Sequence, residues 1–589
     1  MKTLYLIILI LLTTSCSAAS IPQESAAESQ PTVPPAWLTR PPTPVIAGND
    51  EHQLRETDTS TSSSAASASS LEATATALPE PEPSPTTAFH LPRLFGRQWT
   101  LSADSGVPEA YIARARKLAN DRPDDFLWVE PGSVPTDITL KIGGREPLGD
   151  WLYIVTAAFP TLKDEISVAE LRAVWAGEQG AGGPLLVGEN TLPALRALWG
   201  APGEGVTAVD ENNLAGAVWE QRPALAIMPF EALSPELKLL ALDDQSPLQP
   251  EFDQNTYALR LPVGLEGERE ALAAFLGAWD GPPANFNPDH LTRLAMTGVT
   301  ALVRATAAQM EIDGILAPAR DVGPVLRDVD IAHISNEISF VADCPEPSPV
   351  GGTSFCSQDA YFALLEEIGT DVVELTGNHL NDYGSEHVPR TIDMYEAAGM
   401  SYFGGGRDAA DAQRAAIFEH NGNRIALVGC NFFGPVYAWA TESSPGSREC
   451  GPDFFEQISQ LKEEGYVVVA TQQYTEYYQY EPTAEQQADF EAIAAAGAAA
   501  VSGSQGHHAQ GFEFYDGSFI HFGLGNLFFD QMDMLGTRQS FVDIYSIYEG
   551  RLINVDLWTG LIEDFFMPRT MTAAEREEAL QAVFQASGW

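Results

Sequence analysis

The sequence predicts an α/β protein with two folded domains, and three observations lead to that expectation. Its 589 residues are enough for two domains and additional segments. Short apolar strands alternate with amphipathic helices between about residues 91 and 285, and again between about 290 and 575. Such alternation is typical of α/β folds. A long run rich in Ser, Ala, Thr and Pro precedes both regions.

The chain begins with a predicted export signal. Lys2 precedes an apolar run over residues 4–12, which is too short to cross a bilayer and is typical of a signal peptide. Small residues lead directly to Cys16 and resemble a lipobox, so residues 1–16 are expected to form a lipoprotein signal peptide with Cys16 lipidated. The alternative is an ordinary secretory peptide cleaved near Ala18 or Ala19. We expect the protein at the extracytoplasmic face of the cell membrane, held there by its lipid.

Residues 17–90 are predicted to be a disordered tether. They include TSSSAASASS and PEPEPSPTT and hardly any aromatic residue. Such a composition cannot bury enough apolar surface to fold. The segment is therefore interpreted as a spacer between the membrane and the folded part.

The chain is strongly acidic, with 32 Lys and Arg against 81 Asp and Glu and a net charge of -49. Such a surface repels nucleic acid and polyanionic polymers at long range. No nucleic-acid partner is expected, and a polyanion would need a local basic pocket. Solubility alone also accounts for much of this acidity.

The cysteines agree with export. Five are present, and lipidation of Cys16 leaves four in an oxidising compartment, which suggests two disulfides. The simplest pairing is sequential, Cys344 with Cys356 and Cys430 with Cys450. Each disulfide would contribute about 3 kcal/mol in the chain-entropy model. A zinc site is the competing interpretation, but the sequence has no CxxC pair.

The first folded region, residues 91–285, is predicted to alternate strands and helices. LYIVT at 152–156 is an apolar strand. Ser167 and Glu170 have capping-box spacing at the start of a helix, and Gly177 ends it. Further strand and helix segments are predicted at 185–187, 192–199 and 224–230.

The phrases YIVTAAFPTLKDEISVAELRAVWAG and ALAIMPFEAL resemble a periplasmic solute-binding domain of the phosphate-binding type. The resemblance covers roughly residues 91–285 and implies a two-lobed α/β domain. Its best candidate for an anion site is Ser105-Gly106, which precedes a predicted helix whose N-terminus would suit an anion. A plain helix cap at Ser105 is the alternative.

The second region, residues 290–575, is predicted to contain a helical α/β half followed by an antiparallel meander. The predicted strands lie at 331–335, 372–376, 425–428, 467–471, 499–502, 519–522, 541–547 and 552–558, and the predicted helices at 359–368, 453–464 and 484–496. This order suits a layered α/β sandwich with its site at the strand ends.

Polar clusters directly follow several of these strands. They are SNE at 335–337, GNHLNDYG at 377–384, QQYTEYY at 472–478, SQGHHAQGFE at 504–513 and GLGNLFFDQ at 523–531. Polar residues where several strands stop are typical of a binding or active-site cleft. A single histidine beside a glycine would indicate no more than a loop.

The order and spacing of ISNEISF, GNHLNDYG, SQGHHAQGFEF and GSFIHFGLGNLFFDQ resemble the CapA-type family of poly-γ-glutamate capsule synthesis. That family is related to metal-dependent phosphoesterases of the calcineurin-like fold. The resemblance implies that a capsular polymer or a cell-wall component is the partner. It also implies site residues, which are His379, Asp382 and Glu476 for catalysis and Glu337, Asn378 and His507 for metal.

Three positions depart from the family pattern. Val299 stands where the family has the aspartate of a Gly-Asp pair, and Gln473 and Gln505 stand where it has histidines. Valine is no ligand, and glutamine is a poor one for a transition metal. We therefore expect no dinuclear centre, and one divalent metal such as manganese is the remaining cofactor expectation. Glu476 and His508 offer partial compensation.

Two functional hypotheses remain. One is a surface enzyme or assembly factor for a capsule polymer, with a degenerate metallophosphoesterase-like site. The other is a non-catalytic surface protein that uses both domains to recognise ligands. The sequence leaves catalytic activity open.

Overall fold

A computed structural model describes residues 97–132, 135–178, 183–352 and 354–589. The signal peptide, Cys16 and the tether predicted for residues 1–90 lie outside the described residues. Within these ranges, no helix combines the length and apolar character needed to cross a bilayer.

The first region forms one α/β sheet system. Its strands are β1 (Trp99–Ala103), β2 (Phe126–Trp128), β3 (Ile138–Ile142), β4 (Glu146–Ala158), β5 (Glu165–Ile166), β6 (Leu185–Gly188), β7 (Val206–Val209), β8 (Leu225–Pro229), β9 (Leu237–Leu242) and β10 (Arg260–Gly267). Its helices are α1 (Glu109–Asp121), α2 (Val168–Ala176), α3 (Thr191–Trp199), α4 (Leu214–Glu220) and α5 (Arg269–Leu276).

The long strand β4 joins the two halves of this sheet. The strand order is β2-β1-β3-β10-β4-β8-β6-β7. The first part of β4, up to Leu152, pairs with β10, whereas Tyr153 to Ala157 pair with β8. The α/β prediction for this region is therefore confirmed, with one half of the sheet on each side of β4.

Local signals in the first region act as the sequence predicts. The hydroxyl of Ser167 accepts a hydrogen bond from the backbone N–H of Glu170 at the start of α2. Gly177 ends the helix in the left-handed conformation, with φ 74°, which glycine adopts without a Cβ penalty. The helix after Ser105-Gly106 begins at Glu109 with Pro108 at the N-cap, so Ser105 is not the cap.

The second region holds three further sheets, two large ones and a two-stranded one. Its strands are β11 (Leu291–Thr297), β12 (Val299–Thr300), β13 (Ile331–Asn336), β14 (Val372–Glu374), β15 (Ser401–Phe403), β16 (Gly405–Gly406), β17 (Ala416–His420), β18 (Asn423–Asn431), β19 (Gly446–Ser447), β20 (Val467–Gln473), β21 (Ala500–Ser502), β22 (Phe512–Tyr515), β23 (Ser518–His521), β24 (Asn526–Phe528), β25 (Gln539–Tyr548), β26 (Arg551–Glu563) and β27 (Met567–Thr570). Its helices are α6 (Arg304–Asp313), α7 (Ala319–Arg327), α8 (Phe362–Glu367), α9 (His387–Ala397), α10 (Ala409–Ala412), α11 (Pro452–Glu463), α12 (Ala484–Ala496), α13 (Leu535–Arg538) and α14 (Ala573–Ala586).

These elements form a layered α/β sandwich, as predicted. One sheet has the order β15-β14-β13-β11-β25-β26-β27 and the other β17-β18-β20-β21-β23-β22. Apolar residues of both sheets share one buried cluster, so the sheets pack face to face. Helices α6 to α9 cover the outer face of the first sheet, and α11 and α12 cover that of the second.

The two α/β regions pack against each other through aromatic side chains. The ring of Phe159, at the end of β4, lies 5.5 Å from Phe512 and 5.4 Å from Phe514. Trp219 of α4 lies 5.3 Å from Trp589 at the other side of the interface. Independent folding of residues 91–285 stays a prediction.

Both predicted disulfides are present. Cys344 is bonded to Cys356 and Cys430 to Cys450. The first closes a loop that ends one residue after Phe355. The second connects β18 to the segment that precedes α11.

Candidate functional site

The carboxyl ends of parallel strands from both sheets converge on one cleft. Glu337 follows β13, Asn378 and His379 follow β14, Glu476 follows β20 and His507 follows β21. In open α/β sheets the crevice beyond the carboxyl ends of the strands is the usual place for a ligand.

Glu337 is the most deeply placed of these residues. It is 0% exposed, and neither carboxyl oxygen has a hydrogen-bond partner among the described residues. Burial raises the pKa of its carboxyl group, and the nearby imidazoles of His507 and His379 offset only part of that effect. A buried carboxyl group without partners is costly, which marks it as a group that awaits a ligand.

His507 faces two carboxylates. Its Nε2 lies 4.0 Å from Oε2 of Glu337 and 3.6 Å from Oε1 of Glu476. Its Nδ1 lies 2.7 Å from Oδ1 of Asn526. An amide oxygen only accepts, so Nδ1 carries the proton and, in the neutral ring, Nε2 presents its lone pair to the cleft.

His379 and Asp382 form a second acid–base pair. Nδ1 of His379 lies 2.7 Å from Oδ2 of Asp382, which also accepts the backbone N–H of Phe355 at 2.9 Å. Burial alone would lower the pKa of His379. The hydrogen bond to Asp382 and the charges of Glu337, Asp382 and Glu476 outweigh burial and raise it.

Asn378 is placed by a close approach of two loops. Its Oδ1 is buried and has no hydrogen-bond partner among the described residues. The preceding Gly377 packs directly on Glu337, because a Cβ at position 377 would lie 2.3 Å from the Cα of Glu337. Glycine at 377 therefore brings Asn378 next to Glu337.

Glu476 is held by a tyrosine that the sequence analysis did not select. The hydroxyl of Tyr478 donates to Oε2 of Glu476 at 2.6 Å and accepts from Nε2 of Gln531 at 3.1 Å. Gln531 in turn accepts from Nδ2 of Asn526 at 3.2 Å. These contacts join the QQYTEYY and GLGNLFFDQ clusters around the same carboxylate.

The family model described as bacterial capsule synthesis protein PGA_cap matches residues 293–531. Every site residue named above lies within that range. Over residues 293–531 the chain is therefore similar to the CapA-type capsule synthesis family. The predicted family resemblance is thereby confirmed for this part of the chain.

Two curated relatives are similar to this chain over part of their length. The capsule biosynthesis protein CapA of Bacillus anthracis is 33% identical over 172 residues, which cover 28% of this chain and 42% of the relative. The PGA biosynthesis protein CapA of Bacillus subtilis (strain 168) is 28% identical over 171 residues, or 28% of this chain and 45% of the relative. The chain thus spans less than half the length of these two relatives.

Solved structures are matched at lower similarity. A 5'-nucleotidase precursor from Thermus thermophilus gives a TM-score of 0.30 at 14% identity, covering 50% of this chain and 58% of the other. An ABC-type phosphate transport receptor from Vibrio cholerae gives 0.27 at 13% identity, covering 31% and 93%. TM-scores this low carry no argument about the site.

The three departures from the CapA-type pattern lie at the floor of the cleft. Val299 is fully buried in β12, between Ser335 of β13 and Asn526 of β24. One amide atom of each glutamine is hydrogen-bonded within the protein, and the other amide atom has no partner among the described residues. Nδ2 of Asn431 donates to Oε1 of Gln473 at 2.9 Å, and Nε2 of Gln505 donates to Oγ of Ser335 at 2.6 Å.

The donor set of the CapA-type domain contains few metal-binding side chains. Across the described ranges, no group of three or more His, Cys, Asp or Glu side chains is arranged to hold a metal ion. The predicted ligands Glu337, Asn378 and His507 include only two side chains of those types. Their partnerless buried oxygens and the Nε2 of His507 fit one divalent ion.

Asn526, Tyr478 and Phe355 are the residues of the cleft that the sequence analysis did not select. Two of them lie inside polar clusters that the sequence showed, GLGNLFFDQ and QQYTEYY. Phe355 gave no such signal. Its ring stands 4.4 Å from that of His379 because the disulfide loop folds back over the cleft.

Proposed function

We propose that the chain is a membrane-anchored protein of the cell surface that takes part in the synthesis or anchoring of a capsule polymer of the poly-γ-glutamate type. The polymer is bound at the cleft around Glu337. The names of the curated relatives support the process. The signal sequence ending in Cys16 supports the location.

One observation carries the proposal for the cleft. The carboxyl group of Glu337 is fully buried and has no hydrogen-bond partner among the described residues, while the imidazoles of His507 and His379 stand beside it. A structural carboxyl group in a protein interior is ordinarily satisfied by hydrogen bonds. The ligand is therefore expected to supply the missing partners.

Each side chain of the cleft has a distinct role in this proposal. Asp382 orients His379 through Nδ1, so that the remaining ring nitrogen can donate a proton or stabilise negative charge on a carboxylate or phosphoryl group. Glu476, fixed by Tyr478, is the second carboxylate. One divalent ion held by Glu337 and two neighbours, Asn378 and His507, would polarise an oxygen of the bound group.

Exposed apolar side chains surround the mouth of the cleft and support binding of an extended ligand. Some of them stand on the loops that carry Asp382 and Glu476, and the others stand on the segment after β18 and at the start of α13. The exposed side chains are Tyr383, Phe433, Val436, Tyr437, Tyr478, Met534 and Leu535. Nδ2 of Asn381, next to Asp382, donates to the backbone oxygen of Tyr437 at 2.8 Å. Contiguous exposed apolar residues are typical of interaction sites.

A local positive charge also lies near the cleft. The guanidinium of Arg304 stands over the rings of Phe355 and Phe529, at 5.0 Å and 4.6 Å, and pairs with Asp530. These rings contact His379 and His507 respectively. Because Asp530 already pairs with this guanidinium, a carboxylate of the polymer would have to compete with Asp530 for Arg304.

The alternative is a non-catalytic surface protein that recognises ligands with both domains. One observation favours it. A cavity of about 840 Å³ lies between the two α/β regions, lined by Lys238 and Asp164 on one side and Arg576 and Asp556 on the other. Small-molecule sites are common at such interfaces.

The proposal is tested in the natural host. Deletion of the gene is expected to reduce cell-bound capsule polymer, and the wild-type chain is expected to restore it. Glu337→Gln should fail to restore the polymer, whereas Glu367→Gln, an exposed residue of α8, should succeed. A full amount of cell-bound polymer without the chain would refute the proposed function. Metal content and phosphodiesterase activity of the purified chain separate the enzyme from the binding protein.

A further inference from the structure

A second buried carboxylate, Glu374, lies beneath the cleft and has no part in the proposed ligand set. It is the last residue of β14 and is 0% exposed. Three side chains donate hydrogen bonds to it. They are Nε2 of His333 at 3.1 Å, Oγ1 of Thr376 at 2.5 Å and Oγ of Ser504.

The neighbouring imidazole of His333 faces this carboxylate with its Nε2 atom. The backbone N–H of Thr297 donates to Nδ1 of His333 at 3.2 Å. Nδ1 therefore holds a lone pair, and the proton is on Nε2, which faces Glu374. Burial would raise the pKa of Glu374, but the hydrogen bonds from His333, Ser504 and Thr376 lower it below its usual value. A buried charge of this kind is maintained only by such a set of donors.

Two of the three donors belong to the loops that carry the site. Thr376 is two residues before Asn378, and Ser504 is three residues before His507. The same carboxylate thus contacts the start of both loops, one from each sheet. The adjoining Gln505 donates a hydrogen bond to Ser335 of β13, two residues before Glu337. The end of β13 is thereby connected to the loop that carries His507.

We propose that Glu374 is a positioning residue, a buried anionic tie that holds the Asn378 loop to the His507 loop beneath the cleft. Bridging metal ions hold strand-end loops together in two-metal sites, and the substitutions Val299, Gln473 and Gln505 remove ligands for such a centre. Glu374 supplies a fixed negative charge and accepts hydrogen bonds from Thr376 and Ser504, which lie on these two loops. The inference rests on the proposed function only in that these loops bind the ligand.

The test uses the full chain with Glu374→Gln and a matched control, Asp543→Asn. Asp543 also pairs with a fully buried histidine, His521, at 2.8 Å. The backbone oxygen of His521 accepts the N–H of Gly503, so the amide of Gly503 is left out of the comparison. Both variants are expected to lower Tm. Only Glu374→Gln is expected to increase amide hydrogen exchange in residues 377–384 and 504–508, and to shift the imidazole resonances of His379 and His507 in histidine-labelled protein.

These measurements need no ligand, so their outcome is independent of the proposed function. Glu374 can fail to position the loops while the chain still acts on a capsule polymer, and Glu374 can position the loops while the chain does not. If Glu374→Gln does not fold, Thr376→Val and Ser504→Ala remove one donor each and are measured in the same way. Thr376→Val is then expected to loosen residues 377–384 and Ser504→Ala residues 504–508. Unchanged exchange and resonances in a folded Glu374→Gln chain, or equal changes in Asp543→Asn, would overturn the proposal.

Discussion

Nδ1 of His507 lies 2.7 Å from Oδ1 of Asn526, and this contact decides which ring nitrogen faces the cleft. The orientation of the amide is itself fixed, because Nδ2 of Asn526 donates to the backbone oxygen of Thr537 at 2.9 Å. Nε2 of His507 is consequently directed toward Glu337 and Glu476. Outer partners of this kind commonly determine the orientation and basicity of a binding histidine.

The first prediction follows from that contact. Asn526→Ala removes the acceptor of His507 and frees its ring, so we expect roughly a 10-fold to 100-fold loss of affinity for a divalent ion, the usual range for an outer-shell partner. Isothermal titration with Mn²⁺ measures the loss. Asn554→Ala, a buried asparagine of β26 outside the cleft, is the control. Equal Mn²⁺ affinity in wild type and Asn526→Ala would contradict this role.

The second prediction concerns the disulfide beside the cleft. Replacing Cys344 and Cys356 with serine should cost about 3 kcal/mol of stability in the chain-entropy model. Because Phe355 precedes Cys356 and contacts the His379–Asp382 pair, the change should also reduce ligand affinity. Replacing Cys430 and Cys450 with serine is the matched control, and denaturant unfolding should show a similar loss of unfolding free energy. Equal ligand affinities in both serine variants would show that the loop does not support the cleft.

The third prediction concerns pH. Arg569, through its side chain, and the N–H of Thr572 lower the pKa of Glu575 to about 2 in the capping box of α14. A depressed folded-state pKa adds stability above the unfolded value of about 4.3. That stability is lost as the pH falls toward 2. Glu575→Gln should lower Tm at pH 7 but not near pH 2, and Glu577→Gln on the same helix is measured as the control. A difference in Tm that is constant with pH would refute the assignment.

The fourth prediction concerns the lost metal ligands. The triple variant Val299→Asp, Gln473→His and Gln505→His is expected to bind more Mn²⁺ per chain and to gain phosphodiesterase activity, because carboxylate and imidazole are strong ligands. Elemental analysis and a phosphodiesterase assay measure both quantities, with circular dichroism as the check on folding. Two tightly bound metals and robust hydrolysis in the natural chain would contradict it.

Much of the second region was predictable because its local signals agree with its tertiary structure. The helix at Ala484–Ala496 has the predicted bounds. The turn in YEGR joins β25 to β26, with Glu549 and Gly550 at positive φ, as a tight hairpin requires. The candidate site was also predictable from the polar residues that follow the strands. In a chain that alternates strands and helices, the loops after parallel strands lie at the same edge of the sheet.

Other features depend on contacts between distant segments and gave no local signal. The strand at Trp99–Ala103 is short, and its pairing with Ile138–Ile142 is not encoded in its own pattern. Glu374 closes an apolar strand and carries no motif. Its role emerges only when Ser504, 130 residues further along the chain, donates to it. Phe355 likewise reaches His379 through a disulfide-closed loop.

Binding of a γ-linked glutamate oligomer to the purified full chain tests the central claim most directly. Isothermal titration at physiological salt, where long-range repulsion is screened beyond about 8 Å, is carried out on wild type, Glu337→Gln and the exposed control Glu367→Gln. Wild type is expected to show saturable binding that Glu337→Gln weakens at least about 10-fold, which is about 1.4 kcal/mol, and that Glu367→Gln leaves unchanged. The same affinity in Glu337→Gln as in wild type, or no binding by wild type, would contradict it.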